Sequence, residues 1–199
     1  MTVLMLDPVL QIAMRAALSL LLLWAASHKL RDVRGFRSVV ANYDLLPSRW
    51  LGPFAVLLIA VEIGVAIGLW MPRRGVAAAL TAAGLFALYA GAIVVNLRRG
   101  RRDIDCGCAG VAGRQPLTAA LVMRNILLVV TALVSGLPSG SRPLTWMDTV
   151  TIAASVATLA LLYAAVNGLL AQAPHSATLV RHRAADHPLE ATGHGVAHA

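Results

Sequence analysis

The sequence predicts an all-α integral membrane protein, a bundle of about five transmembrane helices in which the first four form the core. Of its 199 residues, 58% are hydrophobic and only 13% are charged, whereas soluble domains carry about 25% charged residues. The apolar residues are gathered in long runs separated by short basic segments. Each run approaches the ~20 residues that a membrane-spanning helix needs.

The five predicted spans follow one another closely along the chain. The first has no basic residue before its apolar part, so it is predicted to be a retained span and not a cleaved signal peptide. The fourth is the weakest, because Arg124 and Asn125 interrupt it. The predicted spans cover residues 8–26, 53–71, 75–97, 117–137 and 146–170.

Two segments outside the spans have a pattern of their own. In the first loop, Phe36, Val39, Val40 and Tyr43 recur at helical spacing, which predicts a short amphipathic helix in the membrane interface or an ordinary helix packed on the bundle. The chain divides into a membrane bundle at 1–172 and a tail at 173–199. Scattered histidines, prolines and glycines predict a disordered, cytoplasmic tail, with metal capture as the alternative.

The basic residues indicate how the chain is oriented. The net charge is +8, but the basic residues flank the spans, which favours an orientation signal over nucleic-acid binding. The first and third loops carry five Lys or Arg each, whereas the second and fourth carry two and one. The positive-inside rule then predicts an outer N-terminus and a cytoplasmic C-terminus, with the first and third loops on the cytoplasmic side.

The third loop holds both cysteines of the chain, Cys106 and Cys108, separated by Gly107. A disulfide needs Cα atoms about 4.4–6.8 Å apart, and Gly107 allows the bend that this requires. Nearby guanidinium groups favour the reactive thiolate. The pattern predicts an exposed redox dithiol with Cys106 and Cys108 as the catalytic pair; two unrelated cysteines, or a metal site completed by histidines, are the alternatives. The predicted supporting residues of this loop are Asp105, Gly107, Arg101 and Arg102.

Four polar residues interrupt the apolar spans: Arg15, Glu62, Arg124 and Asn125. An unpaired charge at the centre of a bilayer costs at least ~2.5–3.5 kcal/mol on insertion scales, so such residues usually pair inside the bundle. We therefore expect one intramembrane polar site in which Glu62 lies within salt-bridge reach of Arg15 or Arg124. Such a site either only fixes the helix register or forms a pocket that could hold a quinone headgroup or tune the dithiol.

Several of these residues also occur in motifs of a known family. The chain resembles the methylamine utilization protein MauE family, within the broader DoxX-like group of small membrane bundles. The most specific matches are the Cys-Gly-Cys segment and the Arg124-Asn125 pair in the fourth span; an aromatic residue is common in the family where this chain has Ala109. The remaining matches are residues 28–32, residues 43–47, Glu62 and residues 99–101.

The resemblance implies a multi-pass protein of the bacterial inner membrane with a DoxX-like four-helix core. It also implies thiol–disulfide chemistry in maturation of the methylamine dehydrogenase small subunit, a periplasmic protein rich in disulfides, with a thioredoxin-like partner. A non-catalytic scaffold for a partner oxidoreductase and a small transporter are the alternatives. Since the charges place the thiols in the cytoplasm, redox work on a periplasmic client would require a relay of electrons across the membrane.

Overall fold

The computed structural model describes residues 5–106 and 116–186, with side chains as far as residue 169, and the regular elements of these residues are helices. A single 3₁₀ turn, Ser48–Trp50, precedes the third α-helix. The α-helices of the described residues are α1 (Pro8–Arg31), α2 (Val33–Asn42), α3 (Leu51–Gly68), α4 (Gly75–Arg98), α5 (Ala119–Ser135) and α6 (Trp146–Asp186).

Aspartates mark the starts of the first two helices. Asp7 accepts a hydrogen bond from the backbone N–H of Val9 at 2.8 Å, and Pro8 supplies the fixed φ that suits a first helical position. That hydrogen bond and the neighbouring Arg142 guanidinium hold the pKa of the Asp7 carboxyl below its usual range. Asp32 caps α2 by accepting from the N–H of Gly35 at 2.8 Å. The chain therefore passes from α1 into α2 with almost no loop.

The core is a ring of four helices, since α1 packs on α3, α3 on α4, α4 on α5, and α5 back on α1. The α4 side of this ring is built from small residues, among them Ala79 and Ala82, which are 1% and 0% exposed. Small side chains let helices approach closely where lipid gives little hydrophobic drive for their association. α6 packs outside the ring against α1, and α2 lies across α3 with no buried residue of its own.

The predicted fold class is confirmed. Within the described residues, four helices are long and apolar enough to cross a membrane, namely α1, α3 with its preceding 3₁₀ turn, α4 and α6 as far as residue 169. α5 occupies the fourth predicted span, but it is a shorter apolar helix of 17 residues. The amphipathic segment is helical as well, as Val33–Asn42. The chain is an all-α, multi-pass membrane protein.

The end of the bundle differs from the sequence prediction. Helix α6 continues to Asp186, whereas disorder was predicted from residue 173. The division into 1–172 and 173–199 stays a prediction, and residues 187–199 lie outside the described residues.

The first and third loops meet at one end of the bundle. Arg101 donates to the Asp44 carboxylate at 3.3 Å and to the backbone carbonyl of Asn42 at 3.0 Å. Tyr43 donates to the carbonyl of Cys106 at 3.5 Å. The two loops therefore lie at the same end of the bundle, and that they share one side of the membrane stays a prediction, which rests on the two spans between them.

This arrangement predicts the outcome of cysteine labelling in intact cells. In a background without native cysteines, Ser38→Cys and Arg102→Cys should react with a membrane-impermeant maleimide from the same side. Arg73→Cys, in the loop between α3 and α4, should react from the opposite side, and all three native side chains are exposed. Labelling of Ser38→Cys and Arg102→Cys from opposite sides would contradict the fold.

Candidate functional site

Cys106 lies in an apolar cluster at the end of the bundle where the first and third loops meet. It is 8% exposed and packs with Ile93, Ile104, Leu117 and Leu121. The backbone of the flanking segment is held by a hydrogen bond from Leu117 N–H to the carbonyl of Arg102 at 3.0 Å. The expectation of an exposed thiol is therefore wrong for Cys106, because the short segment after α4 folds back over the bundle.

A cation that lies beside this thiol comes from α5. A terminal nitrogen of Arg124 lies 3.9 Å from Cys106 Sγ. The same guanidinium donates to Asn167 Oδ1 at 2.7 Å and lies 5.5 Å from the ring centroid of Tyr163. Two side chains of α6 thus hold Arg124 beside the sulfur. A cation at this distance favours the thiolate, which is the nucleophilic form of cysteine.

A second polar cluster lies inside the bundle and joins three helices. Lys29 of α1 forms a salt bridge with Glu62 Oε1 of α3. Tyr89 of α4 donates to the same carboxylate oxygen at 2.7 Å and accepts from Lys29 Nζ at 3.2 Å. Lys29 and Glu62 are 4% and 0% exposed. Among the residues that the structure describes, the other oxygen of Glu62 is buried without a hydrogen-bond partner.

A cavity of about 250 Å³ connects the two clusters. Lys29 and Tyr89 lie on its wall, and so does Cys106. The rest of the wall is almost wholly apolar and comes from α2, the segment after it, α3 and α4. Apolar pockets with a few polar groups are the usual form of small-molecule sites.

Arg15 lies apart from both clusters and caps the end of α5. Its guanidinium donates to the carbonyl of Ser135 at 3.1 and 3.2 Å, and Gln11 donates to the carbonyl of Leu137 at 2.7 Å. These are carbonyls that a helix leaves without partners at its C-terminus, where a cation is also favoured by the helix dipole. Gly75 lets Arg15 approach the start of α4, since a Cβ there would lie 3.1 Å from Nη1.

The expected single intramembrane site is therefore divided into three places. The predicted pairing of Glu62 with Arg15 or Arg124 is wrong, because Glu62 pairs with Lys29. The sequence places Arg15 in the middle of the first span. In the structure it lies level with the start of α4 and the end of α5, because the residues of α1 before Arg15 extend beyond both helices. Asn125 is buried and donates to the carbonyl of Leu121 within its own helix at 2.8 Å.

The supporting residues predicted in the third loop have separate positions. Arg101 is bound to the first loop and not to the thiol. Arg102 is exposed, and Asp105 pairs through its backbone with Pro116. Gly107 and Cys108 lie outside the described residues, so the geometry of the predicted dithiol is not part of the structure.

Sequence reasoning missed four residues that shape these clusters: Lys29, Tyr89, Tyr163 and Asn167. One signal was available for Lys29, which continues the buried face of α1 formed by Leu18, Leu22 and Ala26. These positions recur at the three- and four-residue spacing of one helix face. Nothing in the sequence pattern singles out Tyr163 or Asn167, because their role depends on how α6 packs.

Comparison with known proteins now defines the family. The family model described as methylamine utilisation protein MauE matches residues 7–138. The methylamine utilization protein MauE of Paracoccus denitrificans is 40% identical over 137 residues, covering 68% of this chain and 74% of the relative. The protein of that name from Methylophilus methylotrophus is 38% identical over 167 residues, covering 81% and 86%.

The match also extends beyond the four-helix core. The Paracoccus versutus protein of the same name is 36% identical over 177 residues, covering 87% of this chain and 95% of the relative. No solved structure matches the chain. The family model covers α1 to α5, with Lys29, Glu62, Cys106 and Arg124 inside the match, and the chain belongs to the MauE family.

Proposed function

We propose that this protein takes part in methylamine utilisation as a membrane thiol–disulfide redox protein that uses Cys106 and Cys108. Its relatives carry methylamine utilisation in their names. The observation that supports thiol chemistry is the Arg124 guanidinium 3.9 Å from Cys106 Sγ. A purely structural cysteine in an apolar cluster needs no such cation, and burial alone would favour the neutral thiol.

In this proposal Cys106 is the attacking thiol and Cys108 is the resolving thiol. The Cys106 thiolate attacks a disulfide of a partner protein, forms a mixed disulfide with one sulfur and releases the other as a thiolate. Cys108 then attacks the Cys106 sulfur, releases the reduced partner and leaves the Cys106–Cys108 disulfide. Run in reverse, the same steps oxidise a reduced client, which suits disulfide formation in the methylamine dehydrogenase small subunit through a thioredoxin-like partner.

The membrane and its sidedness belong to the proposal as well. We place the chain in the bacterial inner membrane with its N-terminus outside and its C-terminus in the cytoplasm. The burial of Lys29 removes one cation from the first loop, but that loop still carries more basic residues than the loops at the other end. The thiols then face the cytoplasm, and electrons pass between them and the periplasmic client through a relay.

The proposal predicts a reversible two-electron couple. Purified protein equilibrated in glutathione redox buffers and alkylated should convert, in mass spectrometry, from two labelled thiols to none in one step. Cys108→Ser should accumulate a mixed disulfide with glutathione on Cys106, because the resolving thiol is missing. Cys106→Ser is the matched control and should accumulate much less. If both thiols stayed reduced in every glutathione buffer, the redox function would be refuted and the scaffold alternative favoured.

A further inference from the structure

The cavity beside Lys29 has a chemistry that the thiol proposal does not use. Its wall is almost wholly apolar but includes Lys29 and Tyr89, whose Nζ and Oη lie 3.2 Å apart. A lysine ammonium has three N–H donors, and two of them are accounted for by Glu62 and Tyr89. One donor therefore remains for an acceptor oxygen on a molecule inside the cavity.

The position of Lys29 is held firmly enough for recognition. The ammonium lies 4.9 Å from the ring centroid of Phe36 and 5.0 Å from that of Tyr89, which places aromatic faces around the cation. Glu62, behind it, is completely buried. A lipid acyl chain offers no acceptor for such a donor, whereas a flat ring that carries carbonyl oxygens satisfies both the apolar wall and the Lys29 donor.

We propose that this cavity binds the ring of a lipid-soluble quinone, with one carbonyl oxygen accepting a hydrogen bond from Lys29. A volume of about 250 Å³ takes a single substituted ring but not a dinucleotide or a macrocycle. Val39 and Val40 of the amphipathic helix α2 form part of the wall, so the cavity borders the element suited to the membrane interface. A quinone tail then remains in lipid.

The redox consequence of this site rests on the proposed function. Cys106 lies on the same wall, so the ring and the attacking thiol share one cavity. Oxidation of the two thiols releases two electrons and two protons and forms the S–S bond. The quinone takes up both electrons and both protons, and its two carbonyls become the hydroxyls of the quinol. The quinone is then the oxidant that regenerates the disulfide.

The test measures binding separately from thiol chemistry. An azido derivative of a short-chain ubiquinone would be photo-crosslinked to the protein in lipid nanodiscs, and the labelled peptides mapped by mass spectrometry. Label is expected on α2 and α4. Ala92→Phe fills the cavity from α4 without touching the ion pair, and should weaken binding by about tenfold or more. The matched control, Ala87→Phe, changes an exposed alanine of the same helix that is absent from the cavity wall.

The remaining variants distinguish the two proposals. Cys106→Ser should still bind the quinone but should not reduce it. Ala92→Phe should still exchange disulfides with glutathione, since its thiols are intact. Unchanged binding in Ala92→Phe, or equal competition by decanoic acid, would overturn the quinone site and leave the thiol function standing. If the protein bound the quinone but its thiols showed no reversible redox couple, the quinone site would stand and its redox role would be refuted.

Discussion

Glu62→Gln should destabilise the protein by about 3–5 kcal/mol, because it leaves the Lys29 ammonium buried without a counter-ion. Glu62 and Lys29 are 0% and 4% exposed, so bulk water does not solvate the ammonium in place of the lost partner. The substitution keeps the shape of the side chain and removes only the charge. The measurement is thermal unfolding of the purified protein in detergent, followed by tryptophan fluorescence and by aggregation.

Two further variants make this expectation specific to the buried pair. Asp44→Asn removes a carboxylate from the exposed Arg101–Asp44 pair, and asparagine tolerates the positive φ of 52° there. It should cost only a small fraction of the Glu62→Gln loss. Lys29→Met combined with Glu62→Leu removes both charges and should recover most of the stability. If Glu62→Gln were no more harmful than Asp44→Asn, the pair would not contribute as the structure indicates.

Arg124→Gln should lower the rate of Cys106 alkylation at pH 7 by about tenfold or more, since an opposite charge at this range shifts a pKa by about 1–3 units. Without the guanidinium beside the sulfur, we expect less of the nucleophilic thiolate at neutral pH and a rate profile that moves to higher pH. The Cys108→Ser background ensures that only Cys106 reports. The measurement is the pH dependence of the iodoacetamide reaction.

Conservative variants separate a charge effect from a structural one. Arg124→Lys keeps the cation and should restore part of the rate, although it cannot reproduce the contacts with Asn167 and Tyr163. Arg102→Gln removes an exposed arginine of the third loop and is the matched control. A pH profile that is the same in Arg124→Gln and in the unaltered protein would show that Arg124 does not activate the thiol.

The elements of this fold were predictable because each span is a long and mostly apolar run. The helix ends were harder to predict, and one of them changed the interpretation of the site. Ending the first span at residue 26 placed Lys29 in a loop, whereas α1 continues to Arg31 and carries Lys29 into the core. Charged residues in membranes must find partners, but the choice between Arg15, Lys29 and Arg124 as the partner of Glu62 depends on helix packing.

For the candidate thiol site, too, the residue types were predictable from the sequence and the contacts between them were not. The cysteine pair and the arginine of the fourth span were identified from their residue types alone. The contact between Cys106 and Arg124 was not predicted, because it depends on how the segment after α4 folds over α5. The helix that holds Arg124 in place, α6, gave no sequence signal of this role, since its contacts come from single side chains.

The capping of α5 by Arg15 has a consequence for the surrounding lipid. Arg15 marks the level at which α4 starts and α5 ends, and from there to Arg31 helix α1 rises about 24 Å at ~1.5 Å per residue. α5, with 17 residues, gives about 25 Å. Both values are shorter than the ~30 Å hydrocarbon core of a typical bilayer. Helix α4 starts at the same level, and its 24 residues give about 36 Å. The mismatch is therefore one-sided, and we expect lipids beside α5 to compress while those beside α4 keep the ordinary thickness.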